Sequence, residues 1–270
     1  MIELCFNTMN RSAYLLGDED PDLEGQIDAA GRAGFECFGP DGYSILRYVA
    51  GGGSREALAE RIAAAGMRVF ELPTLGFDTD VAGVRADVEA MLASVRVFRP
   101  DFVQVNVSSP LDDAVVLDEF RRAGEAFGAH GAALAVEYLP WLPGTRNIET
   151  TRDFLQRAGV PGAGVLVDTW HFTFSDDTWE VLEALPLEEI AYIQFDDHPK
   201  LESDDLVDET LRRRLLPGEG HFELTRFCET VRAKGYTRPV SCEVLSDATR
   251  FLDRDTFARQ VHDASRPYWA

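Results

Sequence analysis

The sequence predicts an α/β fold, a (β/α)8 TIM barrel formed by residues 1–270 as a single domain. Short β-rich runs alternate with stretches of helical spacing along the chain, the pattern of a parallel sheet with crossover helices. The length of 270 residues suits such barrels, which often use about 200–250 residues as one domain. An open doubly wound sheet is the alternative, but no glycine-rich phosphate loop follows the first strand. We therefore expect the barrel.

Eight strands and eight helices are expected in alternation. The strands are runs rich in β-branched and aromatic residues, at Ile2–Met9, Glu36–Tyr43, Arg68–Leu75, Phe102–Ser109, Ala133–Pro140, Gly164–Phe172, Ile190–Asp197 and Pro239–Ser246. Apolar residues at helical spacing predict helices at Leu23–Ala33, Arg55–Ala65, Val84–Val97, Val116–His130, Glu149–Ala158, Trp179–Leu185, Phe222–Ala233 and Asp255–Ala264. Glycines such as Gly34 and Gly66 follow helices, where a C-cap residue is favoured.

The charge balance limits the classes of partner. The chain has 26 Lys and Arg residues against 47 Asp and Glu residues, which gives a net charge of −21. Such a protein repels phosphate backbones and anionic lipids, so we expect a small-molecule substrate, no nucleic acid and no membrane. The N-terminus lacks the pattern of a signal peptide, and the four cysteines are scattered without a CxxC pair. These features predict reduced thiols and a cytoplasmic protein.

Polar side chains end four consecutive predicted strands. Glu137, Asp168, Gln194 and Glu243 each follow a mainly apolar run, and the carboxyl ends of barrel strands form one rim. An unpaired carboxylate is costly to bury, so the three acidic residues need a cation, strong hydrogen-bond donors or water. One divalent ion satisfies all of them. Because the donor atoms are all oxygen, Mn²⁺ or Mg²⁺ is favoured over Zn²⁺.

Four segments carry a family resemblance: VDTWHF, IQFDD, LLPGEGHFEL and PVSCEVLS. With them the chain resembles the xylose isomerase-like barrels, which include sugar isomerases and epimerases and the inosose and 3-dehydroshikimate dehydratases. The resemblance implies that Glu137, Asp168, Gln194 and Glu243 bind one divalent metal ion. It also implies that His171 touches a substrate oxygen and transfers a proton. Sugar epimerases commonly have His at the third ligand position, whereas Gln194 resembles the dehydratases.

Four further residues are predicted to line the substrate pocket. Arg214 lies in the long irregular stretch 198–221, which in a barrel belongs to the active-site face. Trp170 offers an apolar wall, and Glu71 and Asn7 lie near the ends of earlier strands. Each also has an ordinary structural explanation, as a surface arginine, a barrel-filling aromatic or a loop-anchoring polar group.

The leading hypothesis is a metal-dependent isomerase or epimerase acting through an enediolate on a small, non-phosphorylated polyhydroxy keto compound. Glu137 and Glu243 would remove and return the proton from opposite sides. The alternative is a dehydratase of the 3-dehydroshikimate or inosose type, in which His171 protonates the leaving hydroxyl. A second alternative is a non-catalytic barrel subunit that binds a partner. A homo-oligomer is compatible with each hypothesis, because barrels of this family often form dimers or tetramers.

Overall fold

A computed structural model describes residues 1–109 and 113–270, in which nine strands and twelve α-helices are present. The strands are β1 (Leu4–Asn7), β2 (Cys37–Gly39), β3 (Arg68–Val69), β4 (Glu71–Phe77), β5 (Phe102–Val107), β6 (Ala133–Glu137), β7 (Gly164–Asp168), β8 (Ile190–Phe195) and β9 (Val240–Cys242). The helices are α1 (Ala13–Leu16), α2 (Leu23–Ala33), α3 (Gly42–Ala50), α4 (Arg55–Ala64), α5 (Val81–Phe98), α6 (Ala114–Gly128), α7 (Ile148–Ala158), α8 (Thr169–Phe174), α9 (Trp179–Ala184), α10 (Leu206–Arg212), α11 (Leu224–Ala233) and α12 (Arg254–Trp269).

Parallel strands alternate with helices, which confirms the predicted α/β class and its TIM barrel form. The chain divides into two compact units, a first unit of Met1–Phe70 with Gln194–Ala270 and a second unit of Glu71–Ile193. The expectation of a single domain over residues 1–270 stays a prediction. In the described part of the chain, no helix combines the length and apolar character that crossing a bilayer requires.

The second unit is a parallel sheet with the strand order β7-β6-β5-β4. The residues of β6 and β7 are almost wholly buried, as expected for a parallel sheet with neither face open to solvent. The register between β4 and β5 shifts between Leu72 and Leu75. This bulge adds one residue to β4 and redirects the side chain of Thr74 toward β5.

The first unit contains the order β3-β2-β1-β9, again with parallel pairing. Its core includes an aromatic group in which the Phe6 ring lies 5.3 Å from Phe35, 5.9 Å from Phe38 and 6.1 Å from Phe257. Strand β1 carries Phe6 and pairs with both β2 and β9. The aromatic group therefore fixes the carboxyl end of β1, where Asn7 lies.

Most of the observed strands end earlier than the sequence predicts, and two of the largest differences, four residues each, lie at Gly39 and Asp168, where helix capping is the cause. The prediction of a strand over Gly164–Phe172 is wrong beyond Asp168, because the Asp168 carboxylate caps the short helix α8. The predicted strand Glu36–Tyr43 ends at Gly39, because Asp41 caps helix α3 through the Ser44 N–H. In both cases an acidic N-cap supplies the hydrogen bond that starts a helix.

The third predicted strand, Arg68–Leu75, forms two strands, β3 and β4, which are separated at Phe70. The stretch 198–221, expected to be irregular, contains helix α10. The carboxylate of Asp205 caps this helix by accepting the backbone N–H groups of Val207 and Asp208.

Candidate functional site

Three buried side chains of the second unit form a cluster of potential metal ligands: Glu137, Asp168 and His171. One donor atom from each lies within 4.8 Å of the other two. Nε2 of His171 is 3.3 Å from Oε1 of Glu137, and none of the three residues is more than 4% exposed. Glu137 ends β6 and Asp168 ends β7, so the sheet register brings their carboxylates to the same edge. The structure thus brings together two predicted ligands and the predicted proton-transfer residue.

Asp168 connects the end of β7 to His171. One oxygen, Oδ1, accepts the backbone N–H of His171 at 2.9 Å, which makes Asp168 the N-cap of α8. The cap starts the helix directly at the strand end and places His171 in its first turn. The spacing Asp-x-x-His therefore has a local geometric reason, since the third residue after an N-cap is the one whose N–H reaches the cap.

Glu137 is held by amide groups from the neighbouring strand β5. Its Oε2 accepts a hydrogen bond from Gln104 Nε2 at 2.6 Å and another from Asn106 Nδ2 at 2.8 Å. Gln104 and Asn106 are two residues apart, so both side chains project from the same face of the strand. Thr74, in the bulge of β4, donates to Asn106 Oδ1 at 2.9 Å. A chain of hydrogen bonds therefore fixes the position of Glu137.

The donor set fits a divalent cation. Two carboxylates and an imidazole nitrogen, all buried, are the groups that metal ions of this class bind in proteins. Two carboxylates this close and this buried repel one another unless positive charge compensates them. Because an imidazole nitrogen is also a good ligand for metals that do not prefer oxygen alone, the cluster does not identify the metal ion. The preference for Mn²⁺ or Mg²⁺ stays a prediction.

In the first unit, Glu243 lies within a network of hydrogen-bond donors. Its Oε1 accepts from Asn7 Nδ2 at 3.2 Å and from Gln194 Nε2 at 3.4 Å. Its Oε2 is 3.3 Å from Nη1 of Arg214. The structure therefore brings together four of the predicted site residues. The function of Gln194 and Glu243 as metal ligands stays a prediction.

Arg214 is buried and paired, so it is not a surface arginine. Its Nη1 donates to Asp196 Oδ2 at 2.6 Å, and its Nε and Nη2 donate to the Thr210 hydroxyl at 3.1 and 2.9 Å. Only 2% of its side chain is exposed. The guanidinium compensates the charges of Asp196 and Glu243 in a place that water hardly reaches. Its contact with substrate stays a prediction.

Two other predicted pocket residues, Trp170 and Glu71, occupy positions that give less support to substrate contact. Trp170 is 1% exposed, and its ring lies 5.3 Å from that of His171 and 4.4 Å from that of Phe174. Glu71 is buried and pairs in register with Phe102, the first residue of β5. Because Glu137 is the last residue of β6, Glu71 lies toward the other end of this sheet. Substrate contact by either residue stays a prediction.

Three important polar residues escaped the sequence analysis. Asn106 holds Glu137, and Asn10 fixes the backbone on both sides of Glu243, donating to Cys242 O and accepting from Val244 N. Asp197 anchors the loop 218–222 by accepting the N–H groups of Gly218, Gly220 and Phe222. A polar residue inside or next to an apolar run is the sequence pattern that could have identified such residues. Asn106 in FVQVNV shows this pattern.

Asp177, just beyond α8, has an unusual protonation behaviour. Its oxygens accept the Ile148 N–H at the start of α7 and the Ser175 hydroxyl. Burial raises the pKa of Asp177 from 3.8 to about 6, against the opposing effect of these hydrogen bonds. The folded state therefore binds this proton more tightly than the unfolded state. The associated stability is present at low pH and is lost as pH rises through about 6.

We expect Asp177→Asn to be stabilising relative to the wild type at pH 7.5 and less so at pH 5. A shift of about two pKa units corresponds to at most about 3 kcal/mol. Urea unfolding at the two pH values measures the difference, with Asp176→Asn, an exposed neighbour, as the control. A difference between Asp177→Asn and wild type that does not change with pH would contradict the shift.

Comparison with known proteins agrees with this architecture. A 3-dehydroshikimate dehydratase of Pseudomonas aeruginosa is 30% identical over 139 residues, which are 52% of this chain and 22% of the relative. The aligned part is thus about a fifth of the length of that relative. A solved structure of the IolI protein with a bound zinc atom superimposes with a TM-score of 0.81 at 17% identity, covering 99% of this chain and 98% of its own.

A D-allulose 3-epimerase of Methylomonas sp. has a TM-score of 0.75 at 12% identity, with 99% of this chain and 98% of that chain covered. At such low identities, the two structural similarities establish the fold alone. The family model of the xylose isomerase-like TIM barrel matches residues 27–266. The chain therefore belongs to the xylose isomerase-like TIM barrel family.

Proposed function

We propose that the protein is a divalent-metal-dependent dehydratase acting on a small, non-phosphorylated polyhydroxy keto compound. The dependence on a metal ion is inferred from one observation, the buried cluster of Glu137, Asp168 and His171. Glu137 and Asp168 would hold the ion, with His171 beside them for proton transfer, and metal binding by Gln194 and Glu243 stays a prediction from the sequence. A bound divalent cation supplies positive charge that stabilises an oxyanion developing on the substrate carbonyl.

The residues of the chain then supply proton transfer. His171 would transfer a proton, since an imidazole has one nitrogen that can donate and one that can accept. In the dehydration, the C–H bond beside the carbonyl breaks and its proton passes to a base. A carbon–carbon double bond forms as the C–O bond of the β-hydroxyl breaks. The leaving hydroxyl takes a proton from His171, so one water is released and no oxidant is needed.

Two observations favour dehydration. The family resemblance places Gln194 where sugar epimerases commonly have His, and the relative that is 30% identical over 139 residues is a 3-dehydroshikimate dehydratase. The isomerase or epimerase is the second candidate, because the predicted ligand set contains two glutamates, Glu137 and Glu243, which a two-sided proton transfer requires.

Metal analysis and two substrates test the proposal. After reconstitution with Mn²⁺, Mg²⁺ or Zn²⁺ in turn, we expect about one ion per chain. With 3-dehydroshikimate, we expect loss of one water and an ultraviolet-absorbing aromatic product. Glu243→Gln is expected to abolish turnover, whereas Glu223→Gln, an exposed partner of Arg226, serves as the matched control.

D-Allulose in D₂O distinguishes the second candidate. Its conversion to an epimer that carries deuterium would support the epimerase instead. A protein that binds no metal after reconstitution and converts neither compound would remove both candidates and favour a non-catalytic barrel.

A further inference from the structure

The two carboxylate oxygens of Glu137 have different surroundings. Oε2 accepts two amide N–H groups, from Gln104 at 2.6 Å and from Asn106 at 2.8 Å. Oε1 faces Nε2 of His171 at 3.3 Å, within the metal-ligand cluster. We call Gln104 and Asn106 the amide pair. Since the residue is 4% exposed, these neighbours rather than water determine what each oxygen can do.

The orientation of the Asn106 amide follows from its partners. Its Nδ2 is also 3.2 Å from the backbone carbonyl oxygen of Glu137, which can only accept a hydrogen bond. The NH₂ group must therefore point toward Glu137, and Oδ1 accepts the Thr74 hydroxyl at 2.9 Å. The alternative orientation would set the amide oxygen against a carbonyl and a carboxylate. Asn106 is thus a donor to Glu137 by necessity.

From this geometry we infer that the amide pair positions Glu137 so that its Oε1 is directed at the cation. The inference rests on the proposed metal-dependent function. The two hydrogen bonds to Oε2 have a charged acceptor, and such bonds are among the stronger ones in proteins. Oε1 is the remaining oxygen, and it is the one directed at the cluster.

Manganese affinity measures the effect of the amide pair directly. Gln104→Met and Asn106→Leu each remove one donor to Oε2 and keep a side chain of similar size. We expect each to weaken Mn²⁺ binding by about 10–100-fold, the usual effect of removing a group that orients a metal ligand. Ser108→Ala is the matched control, because it removes a side-chain hydrogen bond just beyond β5, to the Phe77 carbonyl, but no donor to Glu137 or Asn106, and it should bind Mn²⁺ nearly as the wild type does.

Binding is followed by titration with Mn²⁺ and the electron paramagnetic resonance of the free ion. Thermal unfolding in EDTA shows whether each variant is folded.

The outcomes separate the inference from the proposed function. Wild-type Mn²⁺ affinity in folded Gln104→Met and Asn106→Leu would overturn the inference. If Mn²⁺ binds but neither D-allulose nor 3-dehydroshikimate reacts, the proposed dehydration fails, and the affinities of the two variants still decide the function of the amide pair.

Discussion

Replacing Asp168 by Asn is expected to weaken Mn²⁺ binding more than about 100-fold and to abolish turnover while leaving the protein folded. The loss of a group that only orients a ligand costs about 10–100-fold, and a charged ligand contributes more. The fold survives because Asp168 has a second, separable function. Its Oδ1 caps α8 by accepting the His171 N–H at 2.9 Å, and Asn is as good an N-cap as Asp. The substitution thus removes the charge and keeps the cap.

Mn²⁺ titration, turnover of 3-dehydroshikimate and urea unfolding in EDTA together test this prediction. Asp80→Asn is the matched control, since Asp80 caps α5 through the Gly83 N–H in the same unit and is outside the cluster. The control should match the wild type in all three measurements. Retention of Mn²⁺ affinity by Asp168→Asn would show that Asp168 is a capping residue only.

The positions of Glu137 and Asp168 were predictable because the signal is local. Each follows a short apolar run that is typical of a buried strand, and the carboxyl ends of neighbouring parallel strands lie at one edge. The register confirms this for β6 and β7, where Glu137 pairs with Leu166, two residues before Asp168. Likewise, the alternation of strand-like and helix-like segments was sufficient to predict the fold class.

The support of Glu137 was not predictable, since it depends on residues that are distant in sequence. Asn106 is 31 residues and Gln104 is 33 residues away from Glu137. Their meeting depends on the strand register and, for Thr74, on a bulge that adds a residue to β4. No local pattern specifies a register shift of this kind.

The start of α8 was missed for a different reason. The segment VDTWHF is rich in β-branched and aromatic residues, so propensity favours a strand through Phe172. The Asp168 cap overrides that propensity by satisfying the N–H of His171. This local competition has a functional consequence, because a continued strand would direct alternate side chains to opposite faces. The helix instead brings His171 beside Glu137.

Replacing Arg214 by Ala is expected to lower the free energy of unfolding by about 3–5 kcal/mol. Breaking a buried ion pair has this cost because it leaves charge buried without compensation. Arg214 lies 2.6 Å from Asp196 and 3.3 Å from Glu243, and none of the three side chains is more than 4% exposed. The substitution therefore leaves two carboxylates in the first unit without their guanidinium.

Arg212→Ala is the matched control, two residues away on the same segment. Arg212 pairs with Asp208 at 2.7 Å and Asp247 at 3.0 Å, but 55% of its side chain is exposed. Exposed pairs of this kind contribute about 0–1 kcal/mol. Urea unfolding in EDTA measures both variants without a contribution from bound metal. The two variants differ mainly in the burial of the carboxylates that lose their arginine. An equally small loss in the free energy of unfolding for both would therefore contradict the importance of burial.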